Sequence, residues 1–130
     1  MTRPILIIED DAALLRGLKD NFEAQHYRVQ IARDGREGLA AVLASSPDLL
    51  VLDIAMPGLN GIAAAAQLKR RGSTAKVVFV TNMRDREFIQ ESLTLGQVGF
   101  VIKDRLVADL LPAVRDVLAG KSFVSPSVRH

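Results

Sequence analysis

Apolar residues along this chain fall into two patterns. Short unbroken runs at 5–8, 49–52, 77–80 and 98–102 are bounded by turn residues, which predicts strands buried on both faces. Between them, apolar positions recur at spacings of three and four. Leu14, Leu15, Leu18 and Phe22 form the first such stripe, and Leu39, Val42 and Leu43 the second. Ile62, Ala65, Ala66 and Leu68 form the third, Phe88, Ile89 and Leu93 the fourth, and Leu110, Leu111, Val114, Val117 and Leu118 the fifth. Each stripe predicts an amphipathic helix. Residues 27–32 alternate, with Val29 and Ile31 on one face, and predict one more strand. Asp11 and Asp85 are placed to cap helices. Asp34-Gly35 and Asn60-Gly61 mark turns, and Ser45-Ser46-Pro47, Arg70-Arg71-Gly72, Gly96 and Gly120 mark helix ends. Pro112 is tolerable only in a first helical turn, so the fifth helix is predicted to start near Ala108, or else to kink.

Strands alternating with helices predict an α/β fold with a parallel sheet covered on both faces. Five strands in this length point to a doubly wound five-stranded parallel sheet, the flavodoxin-like (βα)5 arrangement with strand order 2-1-3-4-5. The 130 residues are one domain's worth, read as a domain over 1–120 and the start of a linker or tail over 121–130. Hydrophobic residues at 48% and charged residues at 25% are ordinary for a globular protein. The absence of cysteine excludes disulfides and thiolate metal sites, and fits a cytoplasmic setting. The apolar run at 5–8 is stopped by Glu9-Asp10-Asp11, too short for a signal peptide or a membrane span. A net charge of +2 with both signs interspersed gives no case for nucleic-acid binding by these residues.

Candidate chemistry gathers where strands end. The stretch 47–58 opens on Pro47-Asp48, runs through four apolar residues to Asp53, and turns at Met56-Pro57-Gly58. In an open parallel sheet, ligands bind beyond the carboxyl ends of the strands. The first strand delivers Glu9 and Asp10 to that edge, the third Asp53, the fourth Thr81 and the fifth Lys103. Singly, each has a structural explanation: helix-start charges, a cap, a solvated lysine. Together they suit one task. Clustered carboxylates repel unless a cation joins them. Oxygen-only ligands with room for water suit Mg²⁺. Asp53 could then act as a nucleophile toward a phosphoryl group, with Lys103, the Thr81 hydroxyl and backbone amides neutralising its oxygens.

The constellation resembles the receiver domain of two-component response regulators over roughly residues 3–120. The resemblance rests on Ile-Leu-Ile-Ile-Glu9-Asp10-Asp11, on Asp53-Ile-Ala-Met56-Pro57-Gly58-Leu-Asn-Gly61, on Thr81, and on Gly99-Phe100-Val-Ile-Lys103. It implies Asp53 as phosphoacceptor for a sensor histidine kinase. It implies Glu9 and Asp10 as the acidic pair for Mg²⁺ (or Mn²⁺), Glu9 through a water, with Asp53 and the Ala55 carbonyl as further ligands. Lys103 is expected to contact the phosphoryl group and Thr81 to move toward it. Phe100 is expected to turn inward as Thr81 moves, with an ordinary core Phe as the other reading. Such a domain is a signalling switch that assists its own phosphorylation rather than an enzyme. Its altered surface, on the fourth helix, fifth strand and fifth helix or on the first and fifth helices, is expected to mediate homodimers.

Some positions depart from the family pattern. Asn82 stands where a smaller residue is usual, which restricts the site, and Gln97 where Ala is common. Ala55 and Met83 have no side chain suited to orienting a hydrolytic water, so slow self-dephosphorylation is expected. The segment Leu118-Ala119-Gly120-Lys121-Ser122-Phe123-Val124-Ser125-Pro126 resembles the end of LuxR-type receivers, in which a linker leads to a helix-turn-helix domain. The expected output is therefore transcriptional, through a DNA-binding domain outside this chain. The alternative is a stand-alone receiver or an unphosphorylated docking module. A haloacid-dehalogenase phosphatase would need Asp, not Ala, at position 55. A flavodoxin-type cofactor binder would need a phosphate loop where Glu9-Asp10-Asp11 stands. Without metal, relief of carboxylate repulsion predicts that Asp10→Asn and Asp53→Asn stabilise the fold by about 1 kcal/mol.

Overall fold

The computed structural model describes residues 4–56, 59–82 and 86–126. The expected turn residues Pro57 and Gly58, Met83 and the expected cap Asp85 lie outside the described residues. The first half of the chain contains β1 (Ile5–Ile8), α1 (Ala12–Ala24), β2 (Val29–Ala32), α2 (Gly35–Ser45) and β3 (Leu49–Asp53). A small antiparallel pair, β4 (Ala55–Met56) and β5 (Leu59–Asn60), leads into α3 (Gly61–Arg70). Then come β6 (Lys76–Thr81), α4 (Arg86–Leu93), β7 (Val98–Ile102), a 3₁₀ turn at Lys103–Arg105, α5 (Leu106–Leu118) and β8 (Phe123–Val124).

The main sheet is parallel and runs β2-β1-β3-β6-β7-β8. Its first five strands reproduce the predicted order 2-1-3-4-5, and β8 is an addition that the sequence reading did not contain. The period-two pleat divides the core into two layers. Leu6, Ile8, Leu50, Leu52, Phe79, Phe100 and Ile102 pack against α2, α3 and α4. Ile5, Ile7, Leu49, Val51, Val78, Val80 and Val101 pack against α1 and α5. Helices on both faces explain why these strands are continuous apolar runs.

Local chemistry sets the element ends. Asp11 accepts from the amides of Ala13 and Leu14 at the start of α1, as predicted. Asp34 accepts from Glu37 at α2, and Asn60 from Ile62 and Ala63 at α3. Two expectations are corrected. Strand β2 begins at Val29, because His26 takes a left-handed turn (φ 69°) and Tyr27 bonds back to the Phe22 carbonyl, its ring edge-on to Phe22. Val29 and Ile31 share one pleat face, as the alternation predicts, and Ile31 is 42% exposed because β2 is an edge strand. Helix α5 starts at Leu106, two residues earlier than Ala108, and holds Pro112 inside it. The amide that proline lacks would have served the Ala108 carbonyl, and Ala108 is exposed, so water can take its place. No helix among the described residues is long and apolar enough to cross a membrane.

One glycine holds the end of β3 in place. The Gly61 amide donates to the Ile54 carbonyl at 2.7 Å, and a Cβ at Gly61 would lie 2.3 Å from the Asp53 carbonyl oxygen. The start of α3 can approach the back of Asp53 this closely only without a side chain. Gly61→Ala is expected to lower the unfolding free energy by about 2 kcal/mol. Gly17→Ala, in the exposed interior of α1 with open space around the new methyl, is expected to raise it by about 0.5–1 kcal/mol. Urea unfolding of the two variants beside the parent protein checks both signs.

Candidate functional site

The pleat brings three charged side chains to one face of one sheet edge. Glu9 continues the phase of Ile5 and Ile7, Asp53 that of Leu49 and Val51, and Lys103 that of Val101, the face of α1 and α5. The Glu9 amide is still tied to the Ala32 carbonyl at 3.0 Å, so the strand geometry reaches it. Ile8 is in register with Leu52, which sets Glu9 beside Asp53. Oxygens of Glu9, Asp10 and Asp53 all lie within 4.8 Å of one another. Glu9 and Asp53 are buried, and Asp10 is exposed at the rim.

Lys103 lies among these carboxylates. Its Nζ is 2.7 Å from Asp53 Oδ2 and 3.3 Å from Glu9 Oε1. The other Asp53 oxygen, Oδ1, accepts from the Ala55 amide at 3.0 Å, and Glu9 Oε2 accepts from the Asp11 amide at 3.0 Å. Burial pushes the Glu9 carboxyl above its ordinary range; the Asp11 amide and the Lys103 charge oppose this, while Asp10 and Asp53 add to it. Burial pulls the Lys103 ammonium down, but the bond and charge of Asp53, with those of Glu9, leave it above its ordinary value. The donor set is three carboxyl groups, oxygen only, and is open on the Asp10 side, which fits a hard divalent cation.

The remaining expected site residues are placed as follows. Ala55 belongs to β4, paired with Asn60, and its amide is the group that touches Asp53. Thr81 closes β6, one residue beyond Val80, the register partner of Asp53, and is buried. It lies on the opposite pleat, the face of Phe79, Phe100 and Ile102, in register with Ile102. Phe100 is fully buried on that face. A groove of about 370 Å³ lies at the other end of the strands, lined by Leu50, Leu68, Lys69, Lys76 and Leu95, away from the carboxylates. Asp109, Arg105 and Ser125, not singled out from the sequence, form a network on the buried Asp109, with Arg105 partly exposed, that reaches the amide of Ile102 next to Lys103. A signal for it existed: Asp109 shares a helical stripe with Ala113 and Val117, where an apolar residue would be expected.

The response regulator receiver domain family matches residues 5–115. The chain belongs to that family. The receiver is similar to the uncharacterized transcriptional regulatory protein YvfU of Bacillus subtilis, with 30% identity over 95% of this chain and 63% of that protein. It is also similar to a LuxR-family two-component response regulator from Aurantimonas sp. SI85-9A1, at 26% identity and a TM-score of 0.89, covering 98% of this chain and 93% of that one. The isolated receiver domain of RcsB from Salmonella enterica serovar Typhimurium, solved with the phosphomimetic BeF3-, shares the fold at 22% identity and a TM-score of 0.86, covering 98% and 96% of the two chains. The chain spans about three-fifths of the length of the first curated relatives it matches.

The cluster makes stability depend on pH in a defined direction. Because the Glu9 carboxyl is raised in the folded receiver, its contribution to stability is complete in acid, below the ordinary carboxyl range. It is lost as pH rises through the raised folded value. In metal-free buffer, Glu9→Gln is expected to gain on the parent protein over that rise and to show no gain in acid. Urea midpoints from acid to neutral pH measure this; a difference that stays constant with pH would mean that Glu9 titrates normally. The stabilisation expected of Asp10→Asn keeps its basis, since Asp10 is exposed beside two buried carboxylates. Asp53→Asn, in contrast, also strips Lys103 of its shortest partner.

Proposed function

We propose that this receiver accepts a phosphoryl group on Asp53 from a sensor histidine kinase, using Mg²⁺ (or Mn²⁺), and thereby switches an output surface. The observation that carries this reading is the setting of Asp53: buried, fixed at one oxygen by the Ala55 amide and at the other by Lys103, within a three-carboxylate cluster. A fixed carboxylate at a strand end is poised as a nucleophile. An Asp53 oxygen attacks the phosphorus of a phosphohistidine. The P–N bond breaks with its electron pair going to the imidazole nitrogen, and an acyl phosphate forms on Asp53. Glu9, Asp10 and Asp53, with the Ala55 carbonyl, would hold a divalent cation, which would supply neutralising charge for the phosphoryl oxygens. Lys103 follows the charge from the carboxylate to the phosphoryl group.

Thr81 and Phe100 share one pleat face and report the event together. Since Phe100 is already packed inward, an outward rotamer is the other state, and phosphorylation shifts the population toward the inward packing. The surface that changes comprises α4, β7 and α5, or α1 and α5, and supports a homodimer. The receiver works in the cytoplasm as a signalling switch rather than as an enzyme with a separate product, and it acts on transcription through a DNA-binding domain not in this chain.

The test is intact mass after incubation with Mg²⁺ and acetyl phosphate, parent protein beside Asp53→Asn. One added phosphoryl group, lost in the variant and in chelator, is expected. No adduct under any donor would leave the docking-module reading ahead. Ala55, exposed and without a polar side chain, offers nothing to orient a hydrolytic water. The adduct is therefore expected to outlast removal of the donor by well over seconds, and decay within seconds would refute slow self-dephosphorylation.

A further inference from the structure

Residues 121–126 fold back onto the domain. Gly120 takes a left-handed conformation (φ 85°), its amide bonding the Val117 carbonyl at 3.1 Å while the Lys121 amide bonds Asp116 at 2.8 Å. This pair of bonds ends α5 and reverses the chain. The next residues run parallel to β7, Phe123 beside Gly99 and Val124 beside Phe100. Phe123 packs on the α1–α5 face and Val124 on the α3–α4 face. Ser125 is fully buried.

Ser125 makes three bonds, and they bracket Lys103. Its amide donates to the Phe100 carbonyl at 2.9 Å. Its Oγ accepts from the Ile102 amide at 3.0 Å and donates to Asp109 Oδ2 at 2.8 Å. Asp109, itself buried, is held in two-pronged fashion by Arg105, Nε to Oδ2 at 2.9 Å and Nη2 to Oδ1 at 3.1 Å. The residue before Lys103 and the residue two after it are therefore anchored to one network that closes only when the tail is docked. A buried carboxylate that loses a partner is costly, so the docked and released states of the tail should differ discretely rather than grade into one another.

We propose that Ser125 and Asp109 are positioning residues for Lys103, and that docking of the tail and occupation of the phosphoryl site favour each other. The docked tail fixes the 102–105 backbone from which Lys103 reaches Asp53. A phosphoryl group that holds Lys103 in place fixes the same backbone and so retains the tail. Coupling of this kind is reciprocal by linkage. It rests on the reading of Asp53 as phosphoacceptor, and it makes the segment leading toward any output domain a direct reporter of the site.

The test uses the whole chain with Mg²⁺ and beryllofluoride. In the parent protein, hydrogen exchange at the amides of Ile102 and Ser125 is expected to slow when beryllofluoride binds. Ser125→Ala is expected to weaken beryllofluoride binding by about fivefold, the low end of measured site-to-site couplings. Ser45→Ala removes a comparable hydroxyl at the far end of α2, bonded to Gln30 and Ala41, and is expected to leave that binding unchanged. Unchanged or faster exchange at Ile102 and Ser125 in the parent protein overturns the inference even if the Ser125 variant fails to fold. Equal weakening by both variants overturns it as well, by assigning the effect to general destabilisation. Failure of the parent protein to bind beryllofluoride at all would instead remove the phosphoacceptor reading, and the coupling with it.

Discussion

Glu9 and Asp53 are buried on adjacent strands with a single ammonium between them. Two carboxylates in a poorly solvated site cannot both ionise cheaply unless a cation accompanies them, and the Lys103 Nζ, within 2.7 Å of one and 3.3 Å of the other, is that cation. The surrounding architecture serves this arrangement. The carboxyl ends of β1 and β3 must be level, which their register provides. The start of α3 must close in behind Asp53, which Gly61 allows. Lys103 must emerge one residue past β7 on the same pleat face. A cluster of well-packed apolar residues would stabilise such a sheet edge better, so the charges are kept at a cost in stability.

That cost has a chemical counterpart. With three carboxylates and one lysine, the cluster retains an excess of negative charge that a divalent cation would offset, and Asp10 leaves it open to solvent. Burial raises the Glu9 carboxyl above its ordinary range, and the neighbouring Asp10 and Asp53 add to the rise. Asp53 makes the closer bond to Lys103 and lies on a central strand between β1 and β6. Strand β6, its neighbour on one side, ends in Thr81.

Much of this was legible in the sequence because a parallel sheet writes itself plainly. Strands buried on both faces must be short apolar runs, and the first polar residue after each falls at the ligand-binding edge. That rule located Glu9, Asp53, Thr81 and Lys103 without any contact information. It fails where burial is one-sided or the contact is distant in sequence. The exposure of Ile31 follows from the edge position of β2, which alternation alone cannot reveal. The early start of α5 depends on Ala108 being solvated, so that a missing bond to Pro112 is tolerable. The pairing of Phe123 and Val124 with β7 depends on the reversal at Gly120 and on a hydrogen-bonding partner, Asp109, on another element.

The edge position of β7 explains why that last pairing matters. Without β8, the strand bearing Phe100 and Ile102 would present unpaired amides and carbonyls along an open edge, a template for association with another chain. The tail covers that edge with three residues. Its first two extend the two core layers, and the Ser125 hydroxyl donates to the buried carboxylate of Asp109. Strand β7 is thus flanked by β6, which ends in Thr81, and by β8, which the buried Ser125 follows. Lys103 extends from the strand between them, one residue past Ile102, with its ammonium 2.7 Å from Asp53.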